Sequence, residues 1–253
     1  MNKKKVILSV SAHDPTGGAG LQCDILTSSL FNHHCISALT GQTVQTTKKL
    51  LKKSPSQTVI FKKNLEELNK NFEIDGLKIG VIWSSEIYRE LIKFLEGIDI
   101  PIIIDPIISA GGGGKFLFDK EISDLKKNLY PLSKVITPNR EELKRIGGYR
   151  SSKDSIKNLY ESGIKNIYLT GRVYKKEIIN YLYIDGEKKI ETKSQYLDSK
   201  VHGTGCALST SILCNLVNGE SLENACKNSH ILLFKLVKNS LKTSGQNIIN
   251  FKI

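Results

Sequence analysis

The sequence predicts one α/β domain over residues 1–253, a central and mostly parallel sheet flanked by helices on both faces. Three observations carry this. Short apolar runs alternate with longer amphipathic stretches along the whole chain. The short runs are rich in β-branched residues and apolar on both sides, as strands covered on two faces must be. Glycine- or proline-rich turns follow several of them, and no linker, low-complexity tract or 20–50-residue repeat interrupts the series.

Val6–Ala12 reads as the first strand. Lys3-Lys4-Lys5 before it suggests a signal peptide, but the apolar stretch runs straight into His13-Asp14-Pro15 without a cleavage site. A glycine-rich turn leads to a helix over 20–32 with Leu21, Ile25, Leu26 and Leu30 on one face. Strands follow at 35–40, 77–82, 101–105, 134–137 and 166–169, separated by helices at 65–72, 86–95, 122–129 and 154–162. The segment 178–192 alternates around Asp185-Gly186, which predicts a hairpin. Two helices, 206–217 and 221–240, close the chain.

Composition narrows the function. Mean hydropathy is −0.20 and no apolar run is long enough for a membrane-spanning helix. The net charge is +12, yet only five of the 37 basic residues are arginine (89, 140, 145, 150 and 172). Phosphate forks and base edges are read mainly by arginine, and the basic clusters at 48–53 and 62–63 lack interleaved aromatics. A lysine-rich solvated surface is expected, without nucleic-acid or membrane binding. Five cysteines (23, 35, 206, 214 and 226) form no C-x-x-C pair and no even set, so neither a disulfide framework nor a zinc knuckle is expected. That points to a reducing, cytoplasmic setting.

Ligands of open α/β sheets sit beyond the carboxyl ends of strands. Four such ends carry unusual residues: His13-Asp14-Pro15-Thr16-Gly17-Gly18-Ala19-Gly20, Asp105-Pro106 with Ala110 and Gly111–Gly114, Thr137-Pro138-Asn139-Arg140-Glu141-Glu142, and His202-Gly203-Thr204-Gly205-Cys206. The first three are equally readable as tight turns or helix caps. The fourth is more informative. Gly203-Thr204-Gly205 supplies consecutive backbone N–H groups at a helix start, where an anion is favoured. Cys206 falls in the first helical turn, which predicts a lowered thiol pKa. No G-x-x-x-x-G-K-[ST] sequence is present, so a P-loop enzyme is not indicated.

Asp14-Pro-Thr-Gly-Gly-Ala-Gly-Leu-Gln-Cys-Asp24 closely resembles the D-P-S-G-G-A-G-I-Q-A-D signature of hydroxymethylpyrimidine/phosphomethylpyrimidine kinases, members of the ribokinase-like superfamily. Thr40–Thr47, Lys78-Ile79-Gly80, Asp105-Pro106, Thr137-Pro138-Asn139 with Glu142, and His202-Gly-Thr-Gly-Cys206 follow in the family's order. Related sugar kinases usually carry Asp at the position of Cys206. The resemblance implies a ribokinase-like fold and ATP- and Mg²⁺-dependent phosphorylation of 4-amino-5-hydroxymethyl-2-methylpyrimidine, then of its monophosphate, in thiamine biosynthesis.

By the same resemblance, Gln45 meets the aminopyrimidine edge, Asp24 contacts the substrate from the first helix, and Ala12, Val81 and Ile107 line the ring. Cys206 is the catalytic base and Gly203, Thr204 and Gly205 hold the transferring phosphoryl group. Asp105, Asn139 and Glu142 organise Mg²⁺ and its waters. A homodimer is implied as well.

The sequence departs from the family in places. Thr170-Gly171-Arg172-Val173 stands where the family has K-G-G-H, so the lysine that meets ATP phosphates is missing. Ala12 and His13 replace a usual Gly and a Thr or Ser, and Val81 replaces a common Met. Thr170, Gly171 and Arg172 are the expected ATP-phosphate residues: alternation along an extended segment places Thr170 and Arg172 on one side, so the guanidinium partly replaces the ammonium or, as an equal alternative, is a solvated loop arginine beside Lys175 and Lys176. Two other readings stand beside the leading one: a pyridoxal or pyridoxine kinase, and a pyrimidine- or nucleotide-binding homologue with weakened catalysis.

Overall fold

A computed structural model describes residues 4–110 and 113–252. Gly111 and Gly112 of the glycine run lie outside the described residues. The elements are β1 (Val6–His13), α1 (Gly20–Leu30), β2 (His34–Gln45), β3 (Leu50–Pro55), α2 (Thr58–Asn71), β4 (Gly76–Ile79), α3 (Ser85–Leu95), β5 (Ile102–Ile104), α4 (Asp119–Asn128), β6 (Val135–Ile136), α5 (Arg140–Gly147) and α6 (Ser152–Glu161). The hairpin strands β7 (Asn166–Tyr174), β8 (Glu177–Ile184) and β9 (Glu187–Gln195) follow, then β10 (Val201–His202), α7 (Thr204–Val217), α8 (Leu222–Lys238) and β11 (Asn247–Ile248).

Nine strands form one sheet in the order β3-β2-β1-β4-β5-β6-β7-β8-β9. The six from β2 to β7 run parallel, and β3, β8 and β9 join antiparallel at the two ends. This is the α/β class the sequence predicts.

Alternation within each strand builds two cores, one on each face. Leu8, Val10, Ile102 and Ile104 pack with α2 to α6 through Phe61, Leu91, Leu125, Leu143 and Leu159. Ile7 and Ile103 point the other way, against Leu208, Ile212, Ala225 and Cys226 of α7 and α8. Each fully buried aliphatic side chain contributes about 1.5–3 kcal/mol relative to exposure, so the period-two pattern fixes strand register firmly.

The Asp185-Gly186 hairpin forms as expected, with both residues at positive φ. Three local features go beyond or against the sequence reading. The basic stretch 48–53, expected only as solvated surface, is largely an edge strand, β3, and it turns β2 into a flap whose tip spans residues 46–49. Arg140–Gly147 is a helix that the strand-end reading missed. Helix α1 buries Cys23, Asp24, Thr27 and Ser28 and leaves Ile25 and Leu26 40% and 43% exposed. Its inward face is the polar one, because the residues opposite supply partners for those polar groups.

Candidate active site

The chain runs from β1 outward to β2, then returns to β4 on the other side of β1. That reversal opens a crevice at the carboxyl ends of the strands. A cavity of about 440 Å³ fills it, with His13, Gln45, Val81, Asp105 and Thr137 each placed at or just beyond a strand end and Thr170 at the bulge within β7. A second cavity of about 210 Å³ adjoins it between the β8–β9 hairpin and α8. Thr170, Gly171, Val201, Thr204 and Gly205 line both, so the two spaces meet at the start of α7.

Two helices begin on this wall. The turn before α1 wraps around the Asp14 carboxylate. Thr16 donates its N–H and hydroxyl to Oδ1 at 2.9 and 2.8 Å, and Ala19 N–H donates to Oδ2 at 3.0 Å. His202 Nε2, from the far end of the chain, lies 2.7 Å from Oδ2, and the Gln45 amide also bonds the carboxylate. Burial alone raises an acid; here the bonds from His202, Gln45 and Thr16 outweigh it and hold Asp14 at about 2. A carboxylate only accepts, so the Gln45 nitrogen faces Asp14.

Helix α7 begins differently. Its N-cap, Gly203, has φ +88° and supplies no side-chain cap. A Cβ there would collide with the Gly18 carbonyl, so this position requires glycine and presses the two turns together. The first helical bond is Ala207 N–H to Gly203 O. Thr204, Gly205 and Cys206 precede it and donate their N–H groups to no described group. Three convergent donors at a helix start therefore border the cavity, the arrangement that stabilises a phosphoryl oxygen.

Asp105 sits beside them. A Cβ on Gly205 would lie 3.3 Å from Asp105 Oδ2, and that oxygen is buried without a hydrogen-bond partner. Burial raises Asp105 to about 6, against the pull of Lys78. Glu142, next to it on α5, is raised to about 8 by burial and by Asp105. Asn139 caps α5 by accepting from the N–H groups of Glu141 and Glu142, while Glu142 Oε2 accepts from Asn139 N–H at 2.9 Å. The Asn139 amide oxygen thus positions Glu142, and Asn139 lines the cavity beside Asp105 and Glu142. A buried acid and a half-buried one, both with raised pKa values, and an unpartnered oxygen favour a hard divalent cation.

The expected low thiol pKa of Cys206 does not survive. The side chain is 5% exposed, and burial together with Asp105 and Asp24 pushes the thiol up to about 12, although Lys78 pulls the other way. Gly20 N–H and the Asp105 carboxylate are its hydrogen-bonding neighbours. The helix start cannot outweigh removal of the thiolate from water.

Ala12, Gln45, Val81 and Ile107 all line the larger cavity, but Asp24 does not. Its carboxylate is 0% exposed and accepts from Ser9 at 2.6 Å, Lys78 at 2.9 Å and Thr210 at 2.9 Å. Burial works against the Lys78 charge, and Asp24 more than offsets it. Asp24 is an internal counter-ion that ties β1, α1, β4 and α7 together, which overturns its reading as a substrate contact.

Arg172 is corrected too. A bulge between Leu169 and Arg172 breaks the alternation, and the guanidinium donates to the Tyr181 hydroxyl at 2.7 Å and stacks on Tyr174. Thr170 and Gly171 line the cavities without it. Sequence reasoning named Lys78 without giving it a role and passed over Lys200 and the His202–Asp14 contact. The last had a signal, since His202 adjoins the Gly203–Gly205 turn.

Comparison with known proteins agrees with this geometry. The fold is that of kinases: a Bacillus subtilis pyridoxal kinase, solved as an ADP complex, superposes with a TM-score of 0.89 at 21% identity, covering 98% of each chain. A phosphomethylpyrimidine kinase from Clostridium difficile gives 0.79 at 26% identity over 92% of this chain and 100% of that one. The family model described as phosphomethylpyrimidine kinase matches residues 14–250, and the chain belongs to that family of phosphotransferases. Hydroxymethylpyrimidine/phosphomethylpyrimidine kinases from Aquifex aeolicus and Haemophilus influenzae are 28% and 30% identical. The first match covers 97% of this chain and 100% of that protein, the second 90% and 88%.

Proposed function

We infer that this chain transfers the γ-phosphoryl group of ATP to the hydroxymethyl group of 4-amino-5-hydroxymethyl-2-methylpyrimidine, and then to the resulting monophosphate. The observation that carries this is the start of α7, whose three N–H donors border the same cavity as Gln45. Asp14 holds the Gln45 nitrogen, which leaves the amide oxygen to accept from a 4-amino group. The adjoining cavity, with Ile178, Asn180, Tyr196 and Leu233, suits the nucleotide base, and its junction with the first at Thr204 and Gly205 brings the triphosphate to the donors.

Phosphoryl transfer needs positioning and charge neutralisation more than covalent chemistry. Asp105 and Glu142 fit Mg²⁺ and its waters, and the ion when bound neutralises phosphate charge. Cys206 rests as a neutral thiol. It takes the hydroxyl proton only as it passes its own to the hydrogen-bonded Asp105 carboxylate. A homodimer is proposed as well, with the exposed Ile25 and Leu26 of α1 as part of the contact.

Incubation with ATP, Mg²⁺ and the hydroxymethylpyrimidine, followed by mass analysis, tests the reading. Monophosphate and then diphosphate are expected. The pyridoxal kinase likeness of the fold favours a second reading. It is decided by kcat/KM on the two alcohols: equal or inverted values would sink the pyrimidine assignment, because a site whose amide pairs go unmet rejects the other ring.

A further inference from the structure

The cavity is acidic where its substrates are anionic. Asp14, Asp105 and Glu142 line it, and the second transfer brings in an acceptor that already carries a phosphate. Among the described residues lining either cavity, Lys200 is the one lysine or arginine. Arg172 is turned onto Tyr181 and Lys78 is locked to Asp24, so neither can answer that charge. Lys200 is exposed and forms no ion pair with a described carboxylate.

Its position places it on the acceptor side. The Lys200 carbonyl accepts from Asn247 N–H at 2.9 Å, and the next residue of that strap, Gln246, lines the larger cavity and donates its N–H to Thr47 O at the flap tip, 2.9 Å away. Gln45 precedes that tip at the end of β2. Two residues on, His202 reaches Asp14. Lys200 thus stands among the segments that surround Gln45. It lines only the larger cavity, whereas its neighbour Ser199 lines only the one that suits the nucleotide base and Val201 lines both.

We propose that Lys200 holds the phosphate of the phosphorylated acceptor, and so serves the second transfer rather than the first. The inference rests on the two-step reading above. An ammonium suits this role because it is a compact charge on a flexible stem and does not demand the fixed fork geometry of a guanidinium. It also lets the unphosphorylated alcohol bind through the ring contacts alone.

The test measures both steps separately, from the alcohol and from the monophosphate, in wild type, Lys200→Met and Lys200→Arg. The ratio of second-step to first-step kcat/KM should fall roughly 10- to 100-fold in Lys200→Met, the usual weight of a charge-assisted contact, and recover in large part in Lys200→Arg. Calorimetry without ATP should show weakened monophosphate binding in Lys200→Met with little change for the alcohol. If both steps fall together, the ammonium serves ATP and the inference is wrong; if the ratio is unchanged, Lys200 is only a surface residue. A wild type that phosphorylates neither acceptor overturns the reading of the site itself, whereas an active wild type with an unmoved ratio overturns this inference alone.

Discussion

Helices α1 and α7 both enter from glycine turns on the same wall of the cavity, yet they differ in what sits at their N-termini. The turn into α1 carries its own anion, Asp14, which takes Ala19 N–H and both donors of Thr16. The start of α7 has no such group, and Thr204, Gly205 and Cys206 keep their N–H donors. A glycine-rich turn is therefore an anion site only where the protein has not already supplied the anion. One carboxylate upstream makes the difference between a structural turn and a phosphoryl site.

The contrast between the two helices is most exposed to test at α7. Cys206→Ala should slow the first transfer roughly 10²–10⁴-fold while nucleotide affinity changes little, since the donors there are backbone. Steady-state kinetics on the alcohol checks this; wild-type rates would reduce Cys206 to packing between α1 and α7.

Asp24→Asn probes how the two helices are tied. It keeps the shape but leaves the Lys78 ammonium buried without its counter-ion, so urea unfolding should show a loss of about 3–5 kcal/mol. The KM for the pyrimidine should stay close to wild type, because Asp24 is absent from the cavity wall. A large rise in KM with intact stability would restore the substrate contact.

Asp14→Asn removes the internal anion of α1. The folded pKa of about 2 lies below the ordinary 3.8, so the carboxylate stabilises the fold above pH 3.8 and loses that contribution as pH falls toward 2. The gap corresponds to about 2 kcal/mol at neutral pH. Unfolding free energies of the two proteins, from denaturant titrations, should differ by that much at pH 7 and converge as pH falls below 4 toward 2. A constant gap across that range would show that the charge of Asp14 is not what the turn uses.

Arg172→Ala carries the smallest expectation. With the guanidinium on Tyr181 and outside the cavities, stability should move by no more than about 0.5 kcal/mol and the KM for ATP by about twofold or less. A tenfold loss of ATP affinity would mean that the hairpin closes over the nucleotide in solution.

Much of the site is legible in the sequence because its residues cluster in short motifs at strand ends. Gly203-Thr204-Gly205 announces a helix start with donors to spare, and Asp105 follows a wholly apolar run. What fails is every reading that needs a distant partner. Leu21, Ile25 and Leu26 predict an apolar inward side for α1, but the polar side wins because Lys78 and Thr210 await Asp24 there. The helical position of Cys206 predicts a lowered pKa, and burial beside two carboxylates reverses the result.

By itself, then, the sequence determined most of the alternation of strands and helices, though not β3 or α5, together with the Asp185-Gly186 hairpin and the loops that carry chemistry. These depend on spacing within a few residues, where period and turn chemistry decide. Only the tertiary structure decided which charges are spent inside the protein. Lys78 lies 54 residues from Asp24 and Thr210 lies 186 away, while His202 reaches Asp14 across 188. The bulge before Arg172 depends on how β7 pairs with β8. Charge pairing and desolvation act over ångströms in space, and distance along the chain does not report them.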